Sequence, residues 1–352
     1  MRAETVLQGA LIGCGFFADI HLHAWKRLEG QGRARIAAAC DRDEGRLERA
    51  KNLFGIERTY TDAAQMFAAE TLDFVDIATT AGSHRALVEL AAFHRVPVIC
   101  QKPLAPTYPD AKVIVETCEQ AGLPLMVHEN FRWQTPIRAV RQVIDSGRVG
   151  KPFWGRISFR SGRDVFSAQP YLATGERFIL EDLGVHALDI ARFLLGDAER
   201  LCATVQSVNP NIRGEDVATV LLRHEGGAAC VMDCSYATKL EEDLFPQTLV
   251  EIDGTQGTIR LGKDFRLTVT TPEGTEHSQV APNPMPWTES PWHLVAESVL
   301  RIQEHWVDCL TSGRAPDTSG RDNLKTYALV EGAYRSAASG DALDPRALAG
   351  SA

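Results

Sequence analysis

The first 130 residues alternate short apolar runs with amphipathic segments. The apolar runs are residues 6–13, 35–40, 73–79, 96–100 and 124–128, and amphipathic stretches such as 86–94 and 111–122 lie between them. Alternation of strands and helices at this spacing indicates βαβ units. Strands of a parallel sheet are apolar throughout because both of their faces are buried. The pattern therefore predicts a doubly wound parallel α/β sheet.

Beyond residue 147 the pattern changes to grouped strands. Strand-like runs occupy residues 153–162, 201–208, 217–224, 228–237, 248–254, 257–262 and 265–271, with one predicted helix at 182–195. Grouped strands favour a large, mostly antiparallel sheet within a second α/β domain. An apolar stripe from Val295 to Leu310 and a segment at 323–338 predict two C-terminal helices that face a core. The proline-rich segment 281–292 predicts an extended loop.

Composition excludes several classes of protein. The 352 residues carry a net charge of −9 and no basic run, which argues against nucleic acid as a partner. No segment approaches the roughly 20 apolar residues that span a bilayer, and the N-terminal residues lack the features of a secretory signal. The eight cysteines form no CxxC pair, and His21 and His23 have no third ligand nearby. We therefore expect a cytoplasmic protein with no membrane contact and no metal site.

A glycine motif follows the first predicted strand. Gly13, Gly15 and Ala18 match the G-x-G-x-x-A spacing that brings a dinucleotide pyrophosphate against backbone and a helix N-terminus. Asp41 closes the second predicted strand, about 20 residues on, where a carboxylate accepts the ribose hydroxyls of NAD and repels a 2′-phosphate. A surface turn is the alternative for Asp41. Asp41 therefore favours NAD. The next residue, Arg42, tolerates a phosphate, so NADP stays open.

Candidate catalytic residues occur at two further places. Lys102 follows the fifth predicted strand, at the sheet edge where ligands bind in α/β proteins. Asp182 and His186 are four residues apart on one predicted helix face, and Asp189 joins that face. An imidazole oriented by a carboxylate suits a general base. The alternative for Lys102 is a surface lysine, that for Asp182 is a helix N-cap, and that for His186 is a buried core histidine.

These segments together resemble the Gfo/Idh/MocA oxidoreductase family over nearly the whole chain. The family pattern GxGxxAxxH corresponds to Gly13–His21, and its EKP signature corresponds to Gln101-Lys102-Pro103. Its D-x-x-x-H signature corresponds to Asp182 and His186. The segments 77–84, 128–152 and 318–337 are similar to its fourth strand, domain junction and terminal helix.

The resemblance implies a Rossmann domain over residues 1–128 and a C-terminal domain over 129–352 that binds substrate and forms homodimers or homotetramers through its sheet. It implies hydride transfer from a sugar CH–OH group to NAD, at C1 of an aldose or at a polyol hydroxyl. It implies that Lys102, Asp182 and His186 are catalytic, with Lys102 or His186 taking the proton. The implied cofactor-binding residues are Gly13, Cys14, Gly15, Phe16, Phe17, Asp41, Arg42, Thr79, Thr80, His84, Gln101, Lys102 and Asn130. The implied substrate-binding residues are Lys102, Arg132, Trp133, Arg163, Asp182 and His186.

Gln101 departs from the family pattern, which has glutamate before the lysine. The shape is kept and a carboxylate is lost, so an anion that would favour the charged form of Lys102 is missing. Among family members, the chain most resembles bacterial enzymes that oxidise a free aldose at C1 to its lactone. Two alternatives stay open: a sugar oxidoreductase that keeps NADP tightly bound, and a sensor that binds dinucleotide or sugar without turnover.

Overall fold

Six short parallel strands form the first sheet. The computed structural model describes residues 6–167 and 169–350, and the strands in it are β1 (Leu7–Ile12), β2 (Ala34–Cys40), β3 (Arg58–Tyr60), β4 (Phe74–Ile77), β5 (Val98–Gln101) and β6 (Leu125–His128). Their order is β3-β2-β1-β4-β5-β6. The strand order reverses between β1 and β4, and ligands of such sheets bind at the carboxyl ends of the strands beside this point. The predicted doubly wound parallel sheet is confirmed.

Five helices connect these strands, namely α1 (Ala18–Gly30), α2 (Glu44–Phe54), α3 (Ala63–Ala69), α4 (Ala81–Phe93) and α5 (Tyr108–Gln120). Side chains of Asp43, Asp62 and Thr107 accept hydrogen bonds from the first-turn N–H groups of α2, α3 and α5. These caps explain where the three helices begin, because the first N–H groups of a helix have no partner inside it. Leu11, Ala39 and other apolar residues of β1, β2, α1 and α2 form a buried core.

The second sheet has eight strands, all from the C-terminal part of the chain. They are β7 (Pro152–Arg160), β8 (Ala198–Gln206), β9 (Val217–His224), β10 (Ala229–Ser235), β11 (Leu249–Gly254), β12 (Gly257–Leu261), β13 (Arg266–Thr271) and β14 (Gly274–Gln279). Their order is β14-β13-β12-β11-β7-β10-β9-β8. Only the β7–β10 pair is parallel among the pairs described. The predicted large, mostly antiparallel sheet is therefore confirmed.

The residues of this sheet alternate between a buried and an exposed face. In β9, Ala218, Val220 and Leu222 are buried, whereas Thr219 and Leu221 between them are exposed. Alternation with period two is typical of an antiparallel sheet that packs on one side only. The helices in this part of the chain are α6 (Thr135–Asp145), α7 (Tyr171–Thr174) and α8 (Val185–Leu195), and α8 packs on β7 and β10.

The predicted helix at 182–195 begins differently from the expectation. Residues Leu180–Gly184 form a π-helical turn, and α8 continues from Val185. A π turn holds one more residue per turn than an α-helix and is frequent at functional sites. It is invisible in the apolar pattern, because Leu180, Leu183 and Leu188 stay buried across it.

The chain ends in the helices α9 (His293–Ser312), α10 (Gly320–Ser339) and α11 (Arg346–Gly350). The described chain divides into two units: the first contains the residues up to Glu129 and Val299–Leu324, and the second contains Asn130–Ser298 and the residues from Lys325 onward. The sequence-based division at 128/129 did not anticipate that Val299–Leu324 belongs to the first unit. Two hydrogen bonds explain this assignment. Thr318 Oγ1 donates to the Val127 carbonyl oxygen, and the Val127 N–H donates to the Thr318 carbonyl oxygen, at 2.8 Å each. Within the described ranges, no helix is long and apolar enough to cross a membrane.

Candidate active site

The β1–α1 turn of the first unit provides an open stretch of backbone. Gly13 has a φ of +93°, and a Cβ atom at this position would lie 2.9 Å from the Ala78 carbonyl oxygen, so only glycine fits. At Gly15 an added Cβ would meet only the Arg46 guanidinium, at 3.8 Å. The missing side chain of Gly15 therefore leaves room for a ligand to reach the backbone before α1. This is the arrangement that a pyrophosphate requires.

Asp41 lies beside this turn at the end of β2. One carboxylate oxygen accepts the Cys14 N–H at 2.7 Å, and the other accepts the Asp43 N–H at 2.9 Å. Each oxygen keeps a second lone pair, so the carboxylate can still accept ribose hydroxyls. The adjacent Arg42 is exposed, and Arg46 lies 3.7 Å from Asp41 Oδ2. Sequence reasoning missed Arg46, although its place in the first turn of the helix after β2 was a signal.

The other nucleotide-side residues lie on the turns after β1 and β4. Phe16 is 59% exposed, Phe17 meets the His21 ring edge-on, and Thr79 Oγ1 accepts a hydrogen bond from Ser83. Thr80 is exposed. His84, by contrast, is fully buried, with its ring nitrogens 3.0 and 3.1 Å from the carbonyl oxygens of Thr79 and Leu104.

Burial lowers the pKa of His84, although hydrogen bonds to backbone carbonyls act in the opposite direction. The structure therefore places His84 behind the loops at the ends of β4 and β5, where it ties them together. Its ring is 0% exposed, and its expected contribution to cofactor binding stays a prediction.

Lys102 follows β5 and is partly buried. Its backbone N–H donates to the side-chain oxygen of Gln101 at 2.7 Å. The amide nitrogen of Gln101 lies 3.2 Å from His21 Nε2, inside the first unit. The Gln101 side chain is therefore engaged with the Lys102 backbone and with His21. The sequence suggested that a carboxylate at position 101 would mainly affect the charge of Lys102. In the structure, such a carboxylate would lie against the His21 ring.

Asp182 and His186 belong to the second unit. Asp182 lies in the π turn, where its N–H donates to the Phe178 carbonyl, and its side chain is partly exposed. His186 is 4% exposed, and its ring stacks on Phe131 with 3.9 Å between centroids and 6° between planes. This stacking fixes the plane of the imidazole, which a proton-transfer group requires.

Asp189 and Arg132 form a buried ion pair. Arg132 Nε and one terminal nitrogen lie 2.6 and 2.5 Å from the two oxygens of Asp189, and Thr326 Oγ1 donates to the same carboxylate at 2.9 Å. The side chains are 7% and 0% exposed. Asp189 therefore binds Arg132. The sequence suggested that Arg132 reaches the substrate, but these two donors are held inside the protein.

Trp133 and Asn130 are also largely buried. The Trp133 ring is covered by the guanidinium of Arg138, 3.7 Å from the ring centroid, and the residue is 8% exposed. Asn130 donates its side-chain N–H to Ser298 Oγ at 2.6 Å. Both residues thus shape the interior of the second unit, and their expected ligand contacts stay predictions.

Arg163 lies among aromatic side chains of the second unit. Its guanidinium is 4.9 Å from the ring centroid of Phe245 and 5.8 Å from that of Trp292. Asp243 holds this loop by accepting hydrogen bonds from Ser161 Oγ at 2.9 Å and the Gly162 N–H at 2.7 Å. Arg163 is therefore an exposed cation that packs on the rings of Phe245 and Trp292.

Tyr236 joins these residues and was missed by the sequence reasoning. Burial and, next, the charge of Asp182 raise the pKa of its hydroxyl well above its usual value, while Arg163 acts in the opposite direction. The second unit thus brings Asp182, Arg163 and Tyr236 into one electrostatic neighbourhood. A strand-end tyrosine beside a serine turn carries no distinctive sequence signal. No group of three or more metal-ligating side chains is found in the described ranges.

Comparison with known protein families agrees with both units. The model of an oxidoreductase family with an NAD-binding Rossmann fold matches residues 7–129. The model of the GFO/IDH/MocA C-terminal domain matches residues 137–260. The open backbone at Gly15 and the Asp41 carboxylate are consistent with the cofactor that the first of these descriptions names.

Two curated relatives match almost end to end. A D-apiose dehydrogenase from Rhizobium rhizogenes is 62% identical over 98% of this chain and 99% of its own. A D-apiose dehydrogenase from Paraburkholderia graminis is 58% identical over 97% of this chain and 90% of its own. Among solved structures, an oxidoreductase from Agrobacterium radiobacter in complex with NAD+, L-tartaric acid and magnesium has a TM-score of 0.95 and 61% identity, covering 98% of this chain and 100% of that one.

Proposed function

The chain belongs to the Gfo/Idh/MocA family of NAD-binding oxidoreductases, and from this premise we propose that it oxidises D-apiose with NAD. The observation that carries this proposal is the 62% identity, over 98% of the chain, to a D-apiose dehydrogenase. D-apiose was one candidate among the aldoses that the resemblance to bacterial C1-oxidising members suggested. We propose oxidation at C1, which turns the cyclic aldose into its lactone.

In this reaction the C1 hydroxyl loses its proton and C1 loses a hydride. NAD, when bound, supplies the hydride acceptor. We assign the proton to His186, because its ring is held flat against Phe131 and a base needs a fixed orientation. Asp182, one helical turn away, orients either that imidazole or a sugar hydroxyl. Lys102 stabilises the oxyanion that develops at the reacting hydroxyl.

Cofactor choice follows from the end of β2. The Asp41 carboxylate is held by two backbone N–H groups, at 2.7 and 2.9 Å, so it cannot easily turn away from a ribose. A 2′-phosphate in its place would meet a fixed negative charge. We therefore expect NAD to be preferred over NADP, with Arg46 reducing the size of the preference by its nearby positive charge.

We further propose that the protein acts in the cytoplasm as a homodimer or homotetramer formed through the eight-stranded sheet. Leu221 of this sheet is 52% exposed although it is a large apolar residue, and its cross-strand neighbour Val231, on the same face, is only partly buried. Exposed apolar side chains on a sheet face favour association with another subunit. Light scattering coupled to gel filtration measures the subunit number, and a monomer would contradict this part of the proposal.

The proposal is tested by NADH absorbance with a panel of aldoses, polyols and sugar acids, each with NAD and with NADP. D-apiose with NAD is expected to have the highest kcat/KM. Turnover of a polyol in preference to every aldose would overturn the substrate assignment. Cofactor binding without turnover of any sugar would instead support the sensor alternative.

A further inference from the structure

A chain of buried polar side chains crosses the interior of the first unit and ends at Lys102. Asp76 of β4 and His21 of α1 are 0% exposed, and Gln101 of β5 is 9% exposed. Asp76 Oδ2 lies 2.8 Å from His21 Nδ1 and accepts the Trp25 indole N–H, also at 2.8 Å. The proposed reaction uses none of these side chains directly. The other oxygen of Asp76, Oδ1, is buried without a hydrogen-bond partner among the described residues, so the bonds to Oδ2 are those that hold this carboxylate, and from there the network leads to the lysine backbone.

The direction of the hydrogen bonds that join Lys102, Gln101, His21 and Asp76 can be worked out from the Lys102 backbone. A backbone N–H is always a donor, so the Gln101 atom 2.7 Å from it must be the oxygen. The other end of the amide, which faces His21 Nε2 at 3.2 Å, is then the NH₂ group, a donor only. His21 Nε2 must therefore accept, and the ring proton must sit on Nδ1, facing Asp76. The chemistry of the neighbours thus selects one neutral tautomer of His21.

We propose that Gln101, His21 and Asp76 are positioning residues for Lys102, and that the glutamine keeps His21 in its neutral Nδ1–H form. This inference rests on the proposed role of Lys102 in sugar oxidation. Gln101 fixes the backbone of the lysine through its oxygen, His21 fixes the orientation of the Gln101 amide, and Asp76 fixes the tautomer of His21. The Lys102 side chain therefore extends from a backbone that is held in one position at the end of β5.

The same geometry explains how glutamate, the family residue, fits at position 101. A carboxylate has no hydrogen to donate, so a glutamate there needs a proton on His21 Nε2. His21 would then be an imidazolium between two carboxylates, and the added negative charge would be balanced by one bound proton. The other groups that face His21 are the rings of Phe17 and His128 and the side chain of Gln303, which donates to the His21 carbonyl at 3.4 Å.

The tautomer is measured directly by NMR of protein labelled with ¹⁵N-histidine. The His21 signals are those that disappear in His21→Gln. In the parent protein we expect one protonated and one unprotonated ring nitrogen for His21, with Nδ1 protonated. In Gln101→Glu we expect both nitrogens to be protonated at neutral pH. An Nε2–H tautomer in the parent, or a neutral His21 in Gln101→Glu, would overturn the inference whatever the enzyme oxidises.

Kinetics test the positioning role. Gln101→Leu keeps the bulk but loses both hydrogen bonds, and we expect kcat for the sugar to fall about 10- to 100-fold, the cost of a reacting group misplaced by a fraction of an ångström to an ångström. Gln101→Glu restores the acceptor for Lys102, so its kcat is expected to exceed that of Gln101→Leu about tenfold.

Ile99→Val is the matched control, since Ile99 is a fully buried apolar residue of the same strand, β5. It is expected to leave kcat and the pH profile unchanged. If Gln101→Leu matches this control while the parent oxidises sugar and Lys102→Ala does not, the positioning role is wrong and the proposed function stands. If the parent oxidises no sugar, the proposed function fails, and the NMR measurement still decides on the tautomer.

Discussion

The buried pair of Arg132 and Asp189 leads to a sharp prediction about stability. The guanidinium meets both carboxylate oxygens, at 2.6 and 2.5 Å, and the two side chains are 7% and 0% exposed. Asp189→Asn keeps the volume of the side chain but removes its charge. Arg132 would then be left as a buried cation without its carboxylate.

Removing one partner of a buried pair costs about 3–5 kcal/mol, because the remaining charge is neither solvated nor compensated. This corresponds to a loss of roughly 10²- to 4 × 10³-fold in the folding equilibrium constant. Replacing both partners by apolar residues, in Arg132→Met/Asp189→Leu, is expected to recover at least about 2 kcal/mol, because neither member of this pair is then left without the other. Arg192 adds to the loss, because it is a second buried cation, 4.0 Å from Asp189 Oδ1, although its pairing with Asp197 at 2.7 Å is kept.

Urea unfolding followed by circular dichroism measures these free energies, provided that the transition of each variant is checked for a single step. A loss of less than about 1 kcal/mol in Asp189→Asn, the value of an exposed pair, would refute the reasoning. The double variant also tests the substrate role once expected of Arg132. An unchanged KM for the sugar in a folded double variant would assign Arg132 to the interior, whereas a KM raised tenfold or more would return it to the binding site.

The remaining predictions concern the cofactor, the chemistry and the thiols. NAD should exceed NADP in kcat/KM by about tenfold or more, and Asp41→Ser should narrow that ratio; equal efficiencies in the parent protein would disprove the role of Asp41. His186→Ala should lower kcat by roughly 10²–10⁴-fold and leave NAD affinity nearly unchanged, and a near-normal kcat would make it a core residue. Lys102→Ala should lose about 2.7–4 kcal/mol of transition-state stabilisation, seen as a drop in kcat, and Lys102→Arg should not restore it. All cysteines in the described part of the chain except Cys202 are buried, and burial raises the pKa of Cys14, for example, to about 12; alkylation of the native protein at pH 8 should therefore leave Cys14 unmodified, and rapid modification of Cys14 would contradict this.

Most of the fold could be predicted because burial leaves a direct trace in the sequence. Strands such as β1 and β5 are apolar over nearly their whole length because both of their faces are covered. β3 and β14 were missed for the opposite reason. β3 has one exposed and two partly exposed residues, and β14 is exposed at every position, so neither contains an apolar run.

The site was harder to predict, because its contacts join residues that are far apart in the chain. The residue types and spacing pointed to Gly13 and Asp41, which the structure places side by side. The sequence does not reveal that Arg132 is paired with Asp189, 57 positions away, nor that Gln101 faces His21, 80 positions away. Such partners follow from the packing of whole elements, which local propensity and motif spacing do not specify.

The central claim, oxidation of D-apiose at C1 with NAD, is tested most directly with D-apiose that carries deuterium at C1. Mass spectrometry of the products follows the label. We predict that the deuterium is found in the reduced nicotinamide and that the sugar product is the unlabelled lactone. Reduced cofactor without deuterium would place the oxidation at another carbon, and no reduction of NAD by D-apiose would contradict the assigned activity itself.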